Sequence, residues 1–100
     1  MSTTITVPQR DVAPGTGKVV SADGKRIALF NVNGTFYAMD NACAHAGGPL
    51  GEGVLENKTV TCPWHGWQYD VTSGKNISNP DIAIQKIPVH VQGNDVFVDL

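Results

Sequence analysis

Two short metal-ligand signatures constrain this chain more than any other feature. The first is Cys43-x-His45 and the second is Cys62-x-x-His65, and sixteen residues separate His45 from Cys62. Together they use both cysteines of the 100-residue sequence and two of its three histidines. Thiolate is a soft anionic ligand and imidazole is a neutral borderline one, so each signature offers two kinds of metal donor. The pattern predicts a fold in which two separate loops meet at one site.

Two kinds of metal site can use two cysteines and two histidines, and a disulfide could use the two cysteines alone. A binuclear iron–sulfur centre can take thiolates on one iron and imidazoles on the other, and each mixed signature then offers one ligand to each iron. Structural zinc takes the same donors, but its Cys pair usually precedes its His pair. A disulfide would leave the two histidines unexplained, and the cytosol disfavours it. The spacing favours an electron-carrying cluster and leaves zinc and a disulfide as alternatives.

The composition is that of an ordinary folded domain. The 100 residues are 41% hydrophobic and 16% charged, which suits one modest core and a single domain over residues 1–100. A net charge of −2 without a basic cluster argues against a nucleic-acid partner. The longest apolar run, 27–30, is far too short for a membrane span, and no signal-peptide pattern opens the sequence. We expect a cytoplasmic protein with no membrane anchor.

Turn residues divide the sequence into short strands with little helical periodicity. Residues 25–33 carry apolar side chains on both faces, which is typical of a strand buried on both sides. Asn33-Gly34 is a strong hairpin signal. The expected strands are 3–7, 18–21, 25–33, 35–39, 58–61, 67–70 and alternating stretches from 87 to 92 and from 96 to 100. The pattern predicts an all-β scaffold whose middle segment carries the metal signatures.

The residues around both signatures resemble the Rieske ferredoxin family, specifically its small soluble members. The resemblance runs through CAHAGGPLG at 43–51 and TCPWHGWQYD at 61–70, and it extends to Thr72-Ser73-Gly74 and the loop at Pro80. It implies a Rieske fold of three small antiparallel sheets, in which a cluster-binding subdomain at about 40–72 is inserted into a basal β-sandwich. It also implies one Rieske-type [2Fe–2S] cluster. The implied ligands are Cys43, His45, Cys62 and His65.

Small and aromatic residues near the ligands have roles implied by the same resemblance. Glycines let the backbone approach the cluster, so that N–H groups can point at its sulfurs. The two tryptophans are expected to shield the cluster from water more than to contact a partner, and the proline loop is expected to cover the cluster. These surrounding residues are Gly47, Gly48, Trp64, Gly66, Trp67, Tyr69 and Pro80.

The resemblance also implies a low reduction potential. Tyr69 stands where some relatives donate a phenol O–H to a ligating sulfur, but Trp67 stands where the high-potential relatives have a serine donor. Gly48 and Trp64 stand where those relatives have an additional disulfide. Because the reduced cluster is then less stabilised, we expect a midpoint potential on the order of −150 to −100 mV, the lower Rieske limit.

The function implied is that of an electron carrier and not of an enzyme. The chain would pass single electrons from a flavin-dependent reductase to a terminal oxygenase through transient contacts. His90 is the remaining histidine, and we expect it to be exposed. A mononuclear oxygen-activating iron needs two further histidines, and the sequence has only this one to offer. Two alternatives stay open, namely a small Rieske subunit of a nitrite-reductase-like enzyme and a redox sensor whose cluster state governs partner binding.

Overall fold

The chain is built almost wholly from short strands. The computed structural model describes residues 4–22, 24–42, 48–64 and 66–99. In these ranges there are two 3-10 turns, Gln9–Asp11 and Leu50–Glu52, and no α-helix. The strands are β1 Thr4–Pro8, β2 Thr16–Ala22, β3 Lys25–Val32, β4 Thr35–Asp40, β5 Val54–Glu56, β6 Thr59–Thr61, β7 Gln68–Asp70, β8 Lys86–Ile87, β9 Val89–Gln92 and β10 Asp95–Asp99. No helix in the described ranges is long and apolar enough to cross a membrane.

The strands form three antiparallel sheets. The first sheet has the order β1-β10-β9, the second β2-β3-β4-β8 and the third β5-β6-β7. Strands from the two ends of the chain meet in the first sheet, where Thr4 pairs with Asp99 and Pro8 pairs with Asp95. Apolar side chains of the first and second sheets share one core, which makes these two sheets a basal sandwich. The predicted all-β fold with three small antiparallel sheets is confirmed.

Strand β3 separates two cores. Ile27 and Leu29 are buried in the core that the first and second sheets share. Ala28 and Phe30, on the opposite face, are buried in a core that includes the third sheet. A strand buried on both faces needs apolar residues at successive positions, and this one has four in a row at 27–30. The prediction of a strand buried on both faces is confirmed.

The β3–β4 hairpin turns at the predicted dipeptide. Asn33 and Gly34 have φ values of 51° and 92°, and Val32 pairs with Thr35 across the turn. Positive φ at both central positions is the type I′ geometry that Asn-Gly favours. The buried side chain of Asn31 supports the turn, since its Oδ1 accepts the Gly34 N–H at 2.7 Å and its Nδ2 donates to the Val12 carbonyl at 2.7 Å.

The third sheet lies in a long insertion between two paired strands of the second sheet. Strand β4 ends at Asp40, and its partner β8 begins at Lys86. Within this insertion β5, β6 and β7 form a meander whose middle row, Leu55, Val60 and Tyr69, faces inward and is buried. Strand β5 was not among the sequence predictions, because three residues are too few to show an alternating pattern. The assignment of residues 1–100 to one domain stays a prediction.

Candidate metal centre

The second signature forms the loop of the β6–β7 hairpin. Thr61 and Gln68 are the last paired residues of the two strands, and between them the Cys62 N–H donates to the Trp67 carbonyl at 2.7 Å. This bond closes a loop of six residues, 62–67. Cys62 is only 2% exposed and belongs to the core beneath the third sheet. The chain thus supplies a buried thiol at the root of a short loop that is fixed at both ends.

One of the four predicted ligands can be located. Cys62 is described, whereas Cys43, His45 and His65 lie outside the described residues, as does Gly47. Within the described ranges, no group of three or more His, Cys, Asp or Glu side chains could hold a metal ion. The assignment of the four ligands therefore stays a prediction.

Gly48 brings the end of the first signature loop against Cys62. A Cβ atom built on Gly48 would lie 2.8 Å from the Cys62 sulfur and 3.0 Å from Cγ of Trp64. Real Cβ atoms essentially never come so close, so only glycine fits here without a shift. The structure therefore brings the chain that follows the first signature to the thiol of the second.

The local chemistry fits an iron–sulfur cluster. A thiolate is a soft ligand that suits such clusters, and Cys62 is buried beside a residue without a side chain. Close backbone approach to ligand sulfur is what N–H donation to a cluster needs. The remaining core around Cys62 is apolar and includes Leu50, Val60 and Tyr69, which keeps water from the thiol side.

The three aromatic residues near the second signature differ in burial. Tyr69 is fully buried in the core, and Trp67 is partly buried and packs against that core. Trp64 differs from the expected shielding role, because it is 49% exposed. A large apolar side chain half exposed beside His65 in the sequence is well placed to contact another protein.

Gly66 has the conformation for which glycine is best suited. Its φ is 76°, in the left-handed region that side chains with a Cβ rarely adopt. Because Gly66 follows His65 in the sequence, this backbone reversal returns the loop toward Trp67 and β7.

The Pro80 loop lies beside the second signature. A surface cavity of about 370 Å³ separates the two, lined by Gly66, Trp67, Gln68, Asn76, Ser78, Asn79 and Ile82. Pro80 itself is exposed. Buried Asn76 shapes this loop, since its Oδ1 accepts the N–H groups of Ser78 at 2.9 Å and Asn79 at 3.0 Å. The sequence analysis missed Asn76, although asparagine often accepts a hydrogen bond from the backbone two residues on and so forms turns.

Asn41 is a second residue that the sequence analysis missed. It is buried, and it contacts Leu50 and Gly51 through hydrogen bonds that span the first signature loop. The one available signal was its position two residues before Cys43, where asparagine can bond to nearby backbone.

Charged groups join the third sheet to the second. Burial opposes ionisation of Asp70, but two hydrogen bonds from Thr72 and the nearby charges of Lys58 and Lys86 lower the pKa of its carboxyl. Lys86 Nζ donates to the Val71 carbonyl at 2.9 Å and lies 4.8 Å from the centre of the Tyr37 ring. Burial lowers the pKa of Lys86, and the charge of Asp70 opposes this. These bonds fasten the end of β7 to β8 of the base.

Comparisons with known proteins give one consistent family. The model of the Rieske [2Fe–2S] domain matches residues 2–89. The chain is 35% identical over 95 residues to the ferredoxin component of the naphthalene 1,2-dioxygenase system of Pseudomonas aeruginosa, which covers 94% of this chain and 86% of that protein. It is 43% identical over 76 residues to the 3-phenylpropionate/cinnamic acid dioxygenase ferredoxin subunit of Shigella flexneri, with 74% and 72% covered.

A solved structure shows the same fold. A chain in the complex of reduced oxygenase and oxidised ferredoxin in carbazole 1,9a-dioxygenase superposes with a TM-score of 0.87 at 31% identity. The match covers 95% of this chain and 91% of that one.

Proposed function

Because the chain belongs to the Rieske [2Fe–2S] family, we propose that it carries single electrons from a flavin-dependent reductase to a terminal oxygenase. Its cofactor is one Rieske-type [2Fe–2S] cluster, and it is an electron carrier and not a catalytic subunit. When bound, the cluster supplies reversible one-electron redox chemistry.

The proposed cluster ligands are the four signature residues. Thiolates would come from Cys43 and Cys62, and imidazoles from His45 and His65. The observation that carries this assignment is the contact of Gly48 with Cys62, since a Cβ on Gly48 would lie 2.8 Å from that sulfur. The chain that leaves the first signature thereby reaches the thiol of the second, as one shared cluster requires.

The protein around the site is built to change little with redox state. The loop of the second signature is closed by the bond from Cys62 to Trp67, and the third sheet beneath it has a buried inner row. A carrier transfers electrons faster when its cofactor keeps one geometry, because little reorganisation is then needed.

His90, the histidine outside the signatures, is exposed on β9 and stacks on Phe97 with ring centres 5.2 Å apart, so it serves the scaffold.

The docking face proposed for partners lies at the cluster end. Trp64 is half exposed there and supplies a large apolar contact of the kind enriched in interface centres. Glu52 and Asp81 are exposed and can steer a basic partner by long-range attraction. Glu56 is also exposed, but it lies at the opposite end of the third sheet, where it pairs with Thr59. A chain of the carbazole 1,9a-dioxygenase ferredoxin–oxygenase complex has the same fold, which supports an oxygenase as the acceptor.

A cytoplasmic location is part of the same proposal. A reducing compartment keeps cysteines available as cluster ligands. Fractionation of native cells tests this, and recovery of the protein from an oxidising compartment would contradict it.

Stopped-flow mixing tests the partner assignment. The chemically reduced protein is mixed anaerobically with a purified ring-hydroxylating terminal oxygenase from the same organism, and the visible spectrum of the cluster is followed. Rapid reoxidation that slows as salt is added is expected, since salt screens steering charges. No reoxidation by the oxygenase, or stable co-purification with one large reductase, would contradict a shuttling carrier.

A further inference from the structure

We propose that Asn41 is a positioning residue that holds the first signature loop in register with the thiol of Cys62. The inference rests on the proposed ligand set and concerns a residue outside it. Asn41 is a polar residue only 4% exposed. A buried amide is costly unless its polar atoms have partners, so the partners of Asn41 indicate what it does.

Asn41 bonds to the far end of the ten-residue stretch, 41–50, that it begins. Its carbonyl accepts the Leu50 N–H at 2.8 Å, and its side-chain Oδ1 accepts the next N–H, that of Gly51, at 2.8 Å. Its own N–H donates to the Arg26 carbonyl of β3 at 3.1 Å. One residue thus ties the start of the loop to its end and both to the base. We call these three bonds the Asn41 clamp.

The pairing continues one step inside the clamp. Ala42 and Pro49 form an isolated antiparallel bridge, so the two sides of the loop run together before residue 43. By sequence, Cys43 and His45 lie between these bridged residues. Fixing both ends of a short connection strongly restricts where its residues can be.

The far end of the loop is fixed against the base as well. Leu50 is fully buried, and a Cβ on Gly51 would lie 2.8 Å from Cγ2 of Val19 and 3.0 Å from the backbone of Lys18. Gly51 therefore fits closely on β2 and cannot move toward it. The clamp transmits this fixed position to Gly48, whose backbone abuts Cys62.

The bond from Gly51 to the Asn41 side chain is the part of the clamp that a mutation can remove without changing the backbone. Replacing Asn41 by alanine leaves the Gly51 N–H, which is buried, without its acceptor, while the two backbone bonds of residue 41 can persist. Residues that orient metal ligands typically change metal affinity by about 10- to 100-fold when replaced. We expect Asn41→Ala to release iron to a chelator about 10- to 100-fold faster than wild type.

Asn31→Ala is the matched control. Asn31 is also 4% exposed, and its Oδ1 also accepts a backbone N–H, that of Gly34, at 2.7 Å. It supports the β3–β4 turn, and among the described residues its side chain bonds to Val12 and Gly34 and to neither signature loop. Asn31→Ala is expected to lower the melting temperature at least as much as Asn41→Ala, because it loses two side-chain bonds, while its iron release and reduced EPR spectrum stay those of wild type.

Asn41→Asp is the conservative variant. Its carboxylate keeps an acceptor oxygen where Asn41 Oδ1 lies, so iron release and the shape of the EPR spectrum are expected to move back toward wild type. The return should be partial, because a carboxylate at this buried position carries a charge that the amide lacks. Where Asn41→Ala does not accumulate as folded protein, Asn41→Ser replaces it, because its hydroxyl is one bond too short to reach Gly51.

The outcomes separate the two proposals. Fast iron release and an altered EPR spectrum in Asn41→Ala, absent from Asn31→Ala and partly reversed in Asn41→Asp, support the clamp. The clamp is overturned, while the cluster assignment stands, if Asn41→Ala and Asn31→Ala release iron at equal rates. Both rates are measured at the same number of degrees below each variant's melting temperature. A wild-type protein that binds no iron and sulfide overturns both.

Discussion

Gly48 offers the sharpest perturbation of the site. An alanine there would place its Cβ 2.8 Å from the Cys62 sulfur, whereas ordinary contact begins at 3.4 Å. The sulfur or the backbone must therefore shift by about 0.6 Å to restore van der Waals distance. The added Cβ cannot move away from the sulfur toward Trp64, because it would already lie 3.0 Å from Cγ and 3.1 Å from Cβ of that residue.

Two magnitudes follow from this overlap. Overpacking by one methyl group costs about 1–3 kcal/mol of unfolding free energy, which for a domain of this size lowers the melting temperature by roughly 4–8 °C per kcal/mol. Metal–ligand distances tolerate only about 0.2 Å of deviation. Because the required shift is about three times larger than that tolerance, Gly48→Ala is expected to lose most of its cluster as well as part of its stability.

Gly17→Ala is the control for overpacking alone. Its Cβ would lie 2.6 and 2.7 Å from two carbons of the buried Phe30 ring and 3.2 Å from the Gly51 carbonyl. It is therefore at least as crowded, but none of these neighbours is a proposed ligand, and the Gly51 N–H that Asn41 holds is not among them. Iron and acid-labile sulfide per folded chain, together with thermal unfolding, separate the two variants. Full cluster content and an unchanged EPR spectrum in Gly48→Ala would refute the placement of the Cys62 thiol at the cluster.

Three further predictions test other parts of the account. Asp70→Asn is expected to lower the unfolding free energy by about 1 kcal/mol at pH 7, since the two Thr72 hydrogen bonds then go to a neutral oxygen and the attraction of Lys58 and Lys86 is lost. The folded pKa of Asp70 lies below its ordinary value of 3.8, so this difference should shrink as pH falls below about 4 in urea titrations, and a constant difference would contradict it. Trp64→Ala should slow electron transfer to the oxygenase with little loss of stability, whereas Trp67→Ala should lower the melting temperature; the reverse pattern would contradict their exposures. Redox titration should give a midpoint on the order of −150 to −100 mV, and a value above about +100 mV would contradict the low-potential assignment.

Much of the fold followed from local sequence signals. The apolar residues at 27–30 predicted a strand buried on both faces, and the structure places Ile27 and Ala28 in different cores. Asn33-Gly34 predicted a hairpin that the φ values confirm. These features depend on residues close together in the chain, where backbone preference and side-chain alternation decide the conformation.

Features set by distant contacts were harder to predict. The role of Asn41 depends on N–H groups nine and ten residues away, and no local pattern indicates that pairing. Trp64 and Trp67 flank the same histidine, yet only one packs on the core. Their difference arises from the direction in which the closed loop projects each side chain, which the spacing of the residues does not determine.

Analysis of the purified protein for iron, sulfide and nitrogen ligation tests the central claim most directly. Anaerobic preparations should contain about two iron ions and two acid-labile sulfide ions per chain. Pulsed EPR of the reduced protein should show two strongly coupled imidazole nitrogens, both lost or altered when His45 and His65 are replaced. A colourless protein without sulfide, or a cluster that shows no nitrogen coupling, would contradict the account.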